Sequence, residues 1–248
     1  MKLDVFLSPA EVAPGDVAAR VVAVIDVLRA STTIAVALAN GARTVVPVES
    51  AEEAITRGRQ FERSQVLLAG ERRILPIAGF DAGNSPSEFG ASSVAGRTVI
   101  LTTTNGTHAL TNLQGARDIV VAAYVNLSAV STMLRLAARA DTDITIVCAG
   151  DEGHFSLEDA ACAGRYVRAI TARGASASLN DAACACALID RKYGDNIAKI
   201  FEDSNHGSAL ARAGFSGDLL ACAELDSHPV VPIYQDRQIT RLGPDRER

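Results

Sequence analysis

The sequence RVVAVIDVLRASTTIAVALANG (residues 20–41) joins a run of β-branched residues to a helix-like segment through a short polar turn. Its first part, RVVAVID (20–26), is continuously apolar up to Asp26 rather than alternating, which is typical of a strand covered on both faces. Gly41 suits the position that follows a helix C-terminus. We therefore predict a strand, a turn and a helix, the repeating unit of an α/β fold.

The same alternation continues along the chain. Further apolar runs predict strands at TVVPV (44–48), QVLLA (65–69), RTVILT (97–102), DIVVAA (118–123) and DITIVC (143–148). After residue 155 the pattern is mainly helical, over 157–173, 179–191, 194–203 and 208–224, and an extended VVPIY (230–234) follows. Together these patterns predict a three-layer α/β/α fold with a largely parallel or mixed sheet and a helix-rich C-terminal third. We predict a single domain over residues 1–248; two lobes dividing near residues 125–155 are the alternative.

The composition limits the classes of function. With 248 residues, of which 48% are hydrophobic and 21% charged, the chain is long enough to bury a sizeable core. Apolar stretches are too short for a bilayer, and acids and prolines interrupt the N-terminus, so we expect neither a membrane span nor a signal peptide. A formal net charge of -5 gives no support for nucleic-acid binding. We expect a cytoplasmic protein with no nucleic-acid or membrane partner, and leave open a homo-oligomer.

The five cysteines are an odd set, and most lie in alanine-rich segments. Free cysteine packs as a small hydrophobe in such places, and a reducing cytoplasm keeps it reduced. Cys184 and Cys186 have CxC spacing without a second Cys or His pair beside them, which disfavours a zinc site. Cys148 differs because it ends a predicted strand, where a low-pKa thiolate could react. Simple packing of Cys148 is the favoured alternative.

Three predicted strands end in polar turns that lead into helices. These turns are VLRASTT (27–33), TTNGT (103–107) and AGDEGHFSLED (149–159). Ligands of open α/β sheets bind at the carboxyl ends of strands, where helix N-termini and an arginine suit an anion such as phosphate. The alternative for each hydroxyl is helix capping, as for Ser31 and Ser156.

Acidic residues form a second theme. Asp26, Glu71, Asp81, Glu158 and Asp159 all follow apolar or glycine-rich segments. Mg²⁺ takes one or two carboxylates and keeps water for a substrate phosphate. Several carboxylates around one anion site require a cation or a proton, because like charges repel. Each acid alone could be structural, and Asp159 has the spacing to cap its own helix.

Six motifs lie in order between about residues 3 and 233: VIDVLRAS (24–31), LANGA (38–42), GFDAGNSPSEF (79–89), TTTNGT (102–107), CAGDEGHFSLEDAACAG (148–164) and SNHGSAL (204–210). Together they resemble the motifs of the 2-phosphosulfolactate phosphatase family. The resemblance implies a Mg²⁺-dependent phosphatase that releases inorganic phosphate and sulfolactate from 2-phosphosulfolactate. It also implies a place in coenzyme M biosynthesis or a related sulfonate metabolism.

The motifs and the acids lead to a hypothesis for the site. Candidate metal ligands are Asp26, Glu71, Glu158 and Asp159. Candidate ligands of a small anionic phosphoester substrate are Arg29, Ser31, Thr32, Asn84, Thr104, Asn105 and Gly106. Candidate catalytic residues are Asp26, Glu158 and Cys148, with His108 and His154 as further acids or bases.

Two questions stay open at this level. Water could attack phosphorus directly, or Asp26 or Cys148 could form a phosphoenzyme first. The alternatives in function are a phosphatase of the same fold acting on another small phosphoester, and a non-catalytic protein that binds a sulfonate or a phosphorylated metabolite.

Overall fold

Strands and helices alternate along the computed structural model, which describes residues 1–111, 113–172 and 177–243, without the side chains of His108 and Thr111. The strands are β1 (Lys2–Phe6), β2 (Val21–Ile25), β3 (Thr44–Pro47), β4 (Val66–Arg72), β5 (Leu75–Pro76), β6 (Thr98–Thr102), β7 (Asp118–Ala122), β8 (Ile144–Cys148), β9 (Ser178–Leu179), β10 (Pro232–Gln235) and β11 (Gln238–Arg241). The predicted role of the His108 side chain lies outside the described part.

The α-helices are α1 (Ala30–Ala39), α2 (Ala51–Gly58), α3 (Ala91–Val94), α4 (Gly106–Thr111), α5 (Leu127–Arg139), α6 (Leu157–Thr171), α7 (Asp181–Tyr193), α8 (Ile197–Asp203), α9 (Asn205–Arg212) and α10 (Ser216–Ala223). Short 3-10 helices lie at Pro9–Glu11, Pro14–Asp16, Arg63–Gln65, Pro86–Phe89 and Tyr124–Asn126. Across the described residues, no helix combines the length and the apolar character needed to cross a bilayer.

Among the described residues the strands form an eleven-stranded mixed sheet in the order β5-β4-β6-β3-β11-β10-β7-β2-β8-β1-β9. Two parallel blocks, β4-β6-β3 and β7-β2-β8-β1, are joined by the antiparallel β10–β11 hairpin. The predicted α/β class and mixed sheet are confirmed. Because β2 pairs with both β7 and β8, the sheet continues across residues 125–155. The division into lobes stays a prediction.

Strand β2 is buried on both faces, as its continuous apolar run predicts. Val21, Ala23 and Ile25 belong to a core cluster to which α5 through α10 contribute. Val22 and Val24 point the other way, into a cluster shared with α1, α3 and α4. The period of two along a strand therefore distributes one hydrophobic run between two cores.

Helix α1 is central to the fold. Residues Ala30 through Leu38 are all buried, and the helix contacts β3, β7 and the β10–β11 hairpin. A helix that is apolar all round is stable only when it is covered on every side. This burial fixes the first turn of α1, which begins at Ala30, directly after Arg29.

The C-terminal third is helical, as predicted, but its last long helix is divided. The segment 208–224 belongs to two helices, α9 and α10, separated at Gly214, whose φ is +91°. Glycine adopts this left-handed conformation without steric cost, so the chain turns here. The break brings Asp218 of α10 within hydrogen-bond distance of Arg29.

Candidate active site

A pocket of about 230 Å³ opens where the turns that follow β2, β4 and β6 meet. Predicted site residues that line it are Asp26, Arg29, Glu71, Asn84, Thr104 and Asn105. These residues come from four separate stretches of sequence, and the fold brings them to one place. Their roles as metal or substrate ligands stay predictions.

Asp26 directly follows β2, and its side chain contacts the first residue of α1. Its Oδ1 accepts a hydrogen bond of 3.2 Å from the Ala30 amide, while its own amide donates to Ser31 Oγ at 2.9 Å. Burial raises the pKa of Asp26 to about 6, although the nearby His206 acts in the opposite direction. A carboxyl with this pKa gains or loses its charge close to neutral pH, so it responds to a cation placed beside it.

The hydroxyls of Ser31 and Thr32 turn toward the backbone rather than toward the pocket. Ser31 Oγ accepts from the Asp26 amide, and Thr32 Oγ1 donates to the Val27 carbonyl at 2.9 Å. Neither residue is part of the pocket lining. Both side chains fold back on the turn that precedes them, and neither caps α1, whose N-cap residue is Arg29. The geometry gives no support to substrate binding by either hydroxyl.

Arg29 is buried and lines the pocket. Its Nη1 lies 2.7 Å from Asp218 Oδ2, and Nη2 donates to the Ile74 carbonyl at 2.8 Å. The ring of Phe215 lies 4.5 Å from the guanidinium carbon, a cation–π distance. The guanidinium is therefore held in a defined plane beside the pocket.

Glu71 ties the turn after β4 to the turn after β6. Its Oε1 accepts from the Thr104 amide at 2.7 Å, and Oε2 accepts from the Ile74 amide at 2.9 Å and from Thr104 Oγ1 at 3.1 Å. Both carboxylate oxygens thus already hold the pocket wall. This geometry supports a structural role, and the predicted metal contact of Glu71 stays a prediction.

Arg73 also lines the pocket and has no counterpart among the predicted residues. It shares with Ile74 the two-residue turn between β4 and β5, and the φ angles of these two residues are +48° and +78°. Positive φ at both central positions is the type I′ hairpin pattern, which normally contains Asn and Gly. A β-branched residue is strained in this region, and such strain is concentrated at functional sites. The turn places an exposed guanidinium at the pocket.

Two buried side-chain oxygens in the lining have no hydrogen-bond partner among the described residues. They are Asn84 Oδ1 and Thr103 Oγ1, each on a side chain that is 4% exposed. The backbone carbonyl of Asn84 is held by Thr33 Oγ1 at 2.9 Å, so the loop itself is fixed. Buried polar atoms are normally paired, and an exception points to a water, an ion or a ligand.

The two predicted acids of α6, Glu158 and Asp159, also lie outside this lining. Glu158 borders a neighbouring pocket of about 230 Å³, and the two pockets share Asp151 and His206. Asp159 is buried and accepts from the amides of Val27 at 2.9 Å and Gly150 at 3.1 Å. Burial raises the pKa of both carboxyls. Helix α6 thus turns Asp159 into the core, where it orders two turns.

Cys148 is fully buried at the end of β8 and is not part of the pocket lining. Burial raises the pKa of its thiol well above the ordinary value, and the nearby Asp159 acts in the same direction. The thiolate hypothesis required a lowered pKa and access to substrate. The structure therefore favours the packing alternative for Cys148.

The opposite wall comes from the chain after β8 and from α9. Asn105 Oδ1 accepts from the Glu152 amide at 3.1 Å, and His206 Nδ1 lies 3.4 Å from Asp151 Oδ1. Gly106 does not line the pocket and packs against the carboxylate of Asp26. Sequence reasoning missed His206 as a site residue. Its position inside the motif SNHGSAL (204–210) is the signal that could have found it. His154, by contrast, is exposed and does not line the pocket.

The charges of the pocket do not balance. Within the described chain its lining holds the carboxylates of Asp26, Glu71, Asp151 and Glu152, the guanidinium groups of Arg29 and Arg73, and the imidazole of His206. Acids outnumber arginines, so an anionic ligand needs a cation or protons as well. The described residues contain no cluster of three His, Cys, Asp or Glu side chains suited to a metal, whereas Mg²⁺ requires only one or two carboxylates.

Comparison with known proteins gives a consistent result. A family model described as 2-phosphosulpholactate phosphatase matches residues 6–237, which include every residue of the pocket lining. A protein of Symbiobacterium thermophilum named "Probable 2-phosphosulfolactate phosphatase" is 41% identical over 236 residues, covering 95% of this chain and 98% of the relative. Proteins of the same name from Clostridium botulinum and Caldanaerobacter subterraneus are 34% and 38% identical, over 98% and 85% of this chain and 100% and 86% of their own lengths.

Proposed function

The chain belongs to the 2-phosphosulfolactate phosphatase family, a family of phosphoric monoester hydrolases, and we propose that it hydrolyses 2-phosphosulfolactate to sulfolactate and inorganic phosphate with Mg²⁺ as cofactor. The observation that carries the proposal is the buried Asp26 in a pocket that also holds two arginines. A carboxylate at an anion site is unfavourable unless a cation joins it. The pocket therefore fits a phosphate ester together with a metal ion.

The residues present fit Mg²⁺. The ion prefers oxygen ligands, and the pocket offers the Asp26 carboxylate with the unpartnered Asn84 Oδ1 and Thr103 Oγ1. Gly106 leaves room beside Asp26 Oδ2, because any β-carbon there would come within 2.8 Å of that oxygen. We assign the ion to Asp26, Asn84 and Thr103. When bound, it supplies neutralisation of the phosphoryl charge, which phosphate-ester hydrolysis requires.

The chain's own side chains supply the other functions. Arg29 and Arg73 bind the anionic groups of the substrate, and the fixed plane of Arg29 suits bidentate contact with phosphate or sulfonate oxygens. Above pH 6 the Asp26 carboxylate is ionised and accepts a proton from the attacking water. In the other route it attacks phosphorus itself and forms an aspartyl phosphate, which water then hydrolyses to release inorganic phosphate. His206 can donate a proton to the leaving alkoxide of sulfolactate.

The proposal includes a place in the cell. Five free cysteines, of which Cys148, Cys162, Cys186 and Cys222 are buried, fit a reducing compartment. We propose that the enzyme acts in the cytoplasm, in coenzyme M biosynthesis or a related sulfonate metabolism.

Phosphate release is the direct test. Purified protein is incubated with 2-phosphosulfolactate in Mg²⁺ and in excess EDTA, next to 2-phospholactate, which lacks the sulfonate. We expect turnover of 2-phosphosulfolactate that EDTA abolishes and added Mg²⁺ restores. Turnover in EDTA would contradict the metal requirement. Preferential turnover of another ester would assign the site to that substrate, and binding without turnover of any ester would contradict hydrolysis.

A further inference from the structure

We propose that Asp218 of α10 is a positioning residue for this pocket, holding Arg29 with one carboxylate oxygen and the loop that carries Asn84 with the other. The inference rests on the proposed function only in taking the pocket to bind a phosphate ester. Asp218 does not line the pocket itself. Its influence on a ligand is exerted through the residues that it holds.

The first contact orients the guanidinium. Asp218 Oδ2 lies 2.7 Å from Arg29 Nη1, and the two side chains are 7% and 3% exposed. The Ile74 carbonyl and the Phe215 ring fix the remaining freedom of the group. These contacts use part of the donor set of a guanidinium and leave further N–H groups for a ligand. Without Asp218 the charge of Arg29 has no carboxylate partner within the buried part of the described chain.

The second contact orients the loop. Ser85 Oγ donates to Asp218 Oδ1 and lies 2.9 Å from Ser87 Oγ. Ser85 directly follows Asn84, a residue of the pocket lining whose buried Oδ1 has no partner among the described residues. One carboxylate thus connects two walls of the pocket that are far apart in sequence.

Stability alone does not account for this arrangement. Removing two charges from water costs free energy, and an apolar pair of similar size can stabilise a core as well or better. What an ion pair adds is orientation, because its hydrogen bonds fix the plane of the guanidinium. Asp190 offers the comparison: it is also a buried aspartate paired with arginines, Arg165 and Arg168, but none of these three residues lines the pocket.

The experiment measures the affinity for inorganic phosphate by calorimetry in Mg²⁺, together with kcat and KM, for D218N, R29K, the double variant and S85A. We expect D218N to weaken phosphate binding and raise KM by at least about tenfold, the effect of a lost hydrogen bond to a charged group. In the R29K background, D218N should cost far less affinity than it does in the wild type, with a remaining loss no larger than that of S85A, because Asp218 then acts only through the loop. S85A tests the loop contact separately and should weaken phosphate binding to a smaller extent.

D190N is the matched control: it should lower the unfolding midpoint while leaving phosphate affinity unchanged. Wild-type phosphate affinity in D218N, or an equal loss in the R29K background, would overturn the proposal. If D218N does not fold, the phosphate affinity of S85A decides the proposal. A weakened affinity supports it, and a wild-type affinity overturns it. An absence of phosphate binding by the wild type would also overturn it. If phosphate binding depends on Arg29 and Asp218 as expected but the wild type hydrolyses no 2-phosphosulfolactate, the proposed function is removed and the positioning role remains.

Discussion

Gly106 packs directly against the carboxylate of Asp26. A β-carbon on Gly106 would lie 2.8 Å from Asp26 Oδ2 and 2.7 Å from the β-carbon of Ala30. Distances under 3.0 Å require a neighbour to move, and Ala30 belongs to the buried α1. The first turn of α4 therefore fixes where the Asp26 carboxylate can be.

Gly106→Ala should reduce both the activity and the stability of the protein. The added methyl displaces Asp26, and a misplaced catalytic group can cost roughly a hundredfold in rate. Overpacking should cost about 1–3 kcal/mol of unfolding free energy. Steady-state kinetics and urea unfolding measure the two effects. Gly15→Ala is the control, because Gly15 is exposed with no atom near its β-carbon position, and it should match the wild type. Full activity in Gly106→Ala would contradict the proposed role of Asp26.

Asp26→Asn should abolish activity and stabilise the metal-free protein above pH 6. The folded-state pKa of Asp26 is raised from 3.8 to about 6, so the wild type loses stability as the pH rises between these values. The asparagine variant has no such loss and should gain up to about 3 kcal/mol, constant at higher pH. Urea unfolding in EDTA from pH 3.5 to 8 measures this. Asp236→Asn, at an exposed turn, should keep the wild-type pH dependence; a flat difference for Asp26→Asn would contradict the raised pKa.

Native alkylation should modify one cysteine. All five cysteines fall within the described residues, and of these Cys184 alone is exposed. Burial raises the pKa of Cys148 well above its ordinary value and that of Cys186 and Cys222 to about 12. Iodoacetamide at pH 8 should add one label to the native chain, on Cys184, and five in denaturant, as read by mass spectrometry. Cys148→Ser should keep most activity. A folded but inactive Cys148→Ser would restore the thiolate hypothesis.

The sequence predicts the parts of this molecule that depend on local pattern. Continuous β-branched runs locate β2, β3, β4, β6, β7 and β8, because a strand covered on both faces needs apolar residues at every position. Polar turns at strand ends locate Asp26, Arg29, Thr104 and Asn105 in one pocket, since such ends are where α/β sheets bind ligands. Asn84 came instead from the loop GFDAGNSPSEF (79–89).

The sequence does not predict the orientation of side chains or the contacts between residues that are far apart in the chain. The hydroxyls of Ser31 and Thr32 have the right residue type, but their rotation toward the backbone is decided by the turn. Asp218 reaches Arg29 across 189 positions only after α9 and α10 have folded back. The β10–β11 hairpin enters the middle of the sheet by pairing Ile233 with Val120, a contact with no local signal. Sequence reasoning missed Arg73 because its turn contains neither Gly nor Asn, the residues that usually indicate such a turn.

Glu71→Gln should destabilise the protein equally with and without Mg²⁺. The amide that replaces one carboxylate oxygen cannot accept from the Ile74 or Thr104 amides, and an unpaired buried donor costs about 1–3 kcal/mol. Thr104→Val removes the hydroxyl's bond of 3.1 Å to Glu71 and its bond of 3.4 Å from the exposed Arg73 amide, but keeps the Thr104 amide contact, and should cost less. Thermal unfolding in EDTA and in Mg²⁺ separates the two roles of Glu71. If Glu71 only holds the pocket wall, Mg²⁺ stabilises Glu71→Gln as much as it stabilises the wild type, whereas Asp26→Asn loses this stabilisation. A Glu71→Gln protein with wild-type stability in EDTA and no response to Mg²⁺ would instead make Glu71 the metal ligand that the sequence suggested, because only a lost ion contact has that signature.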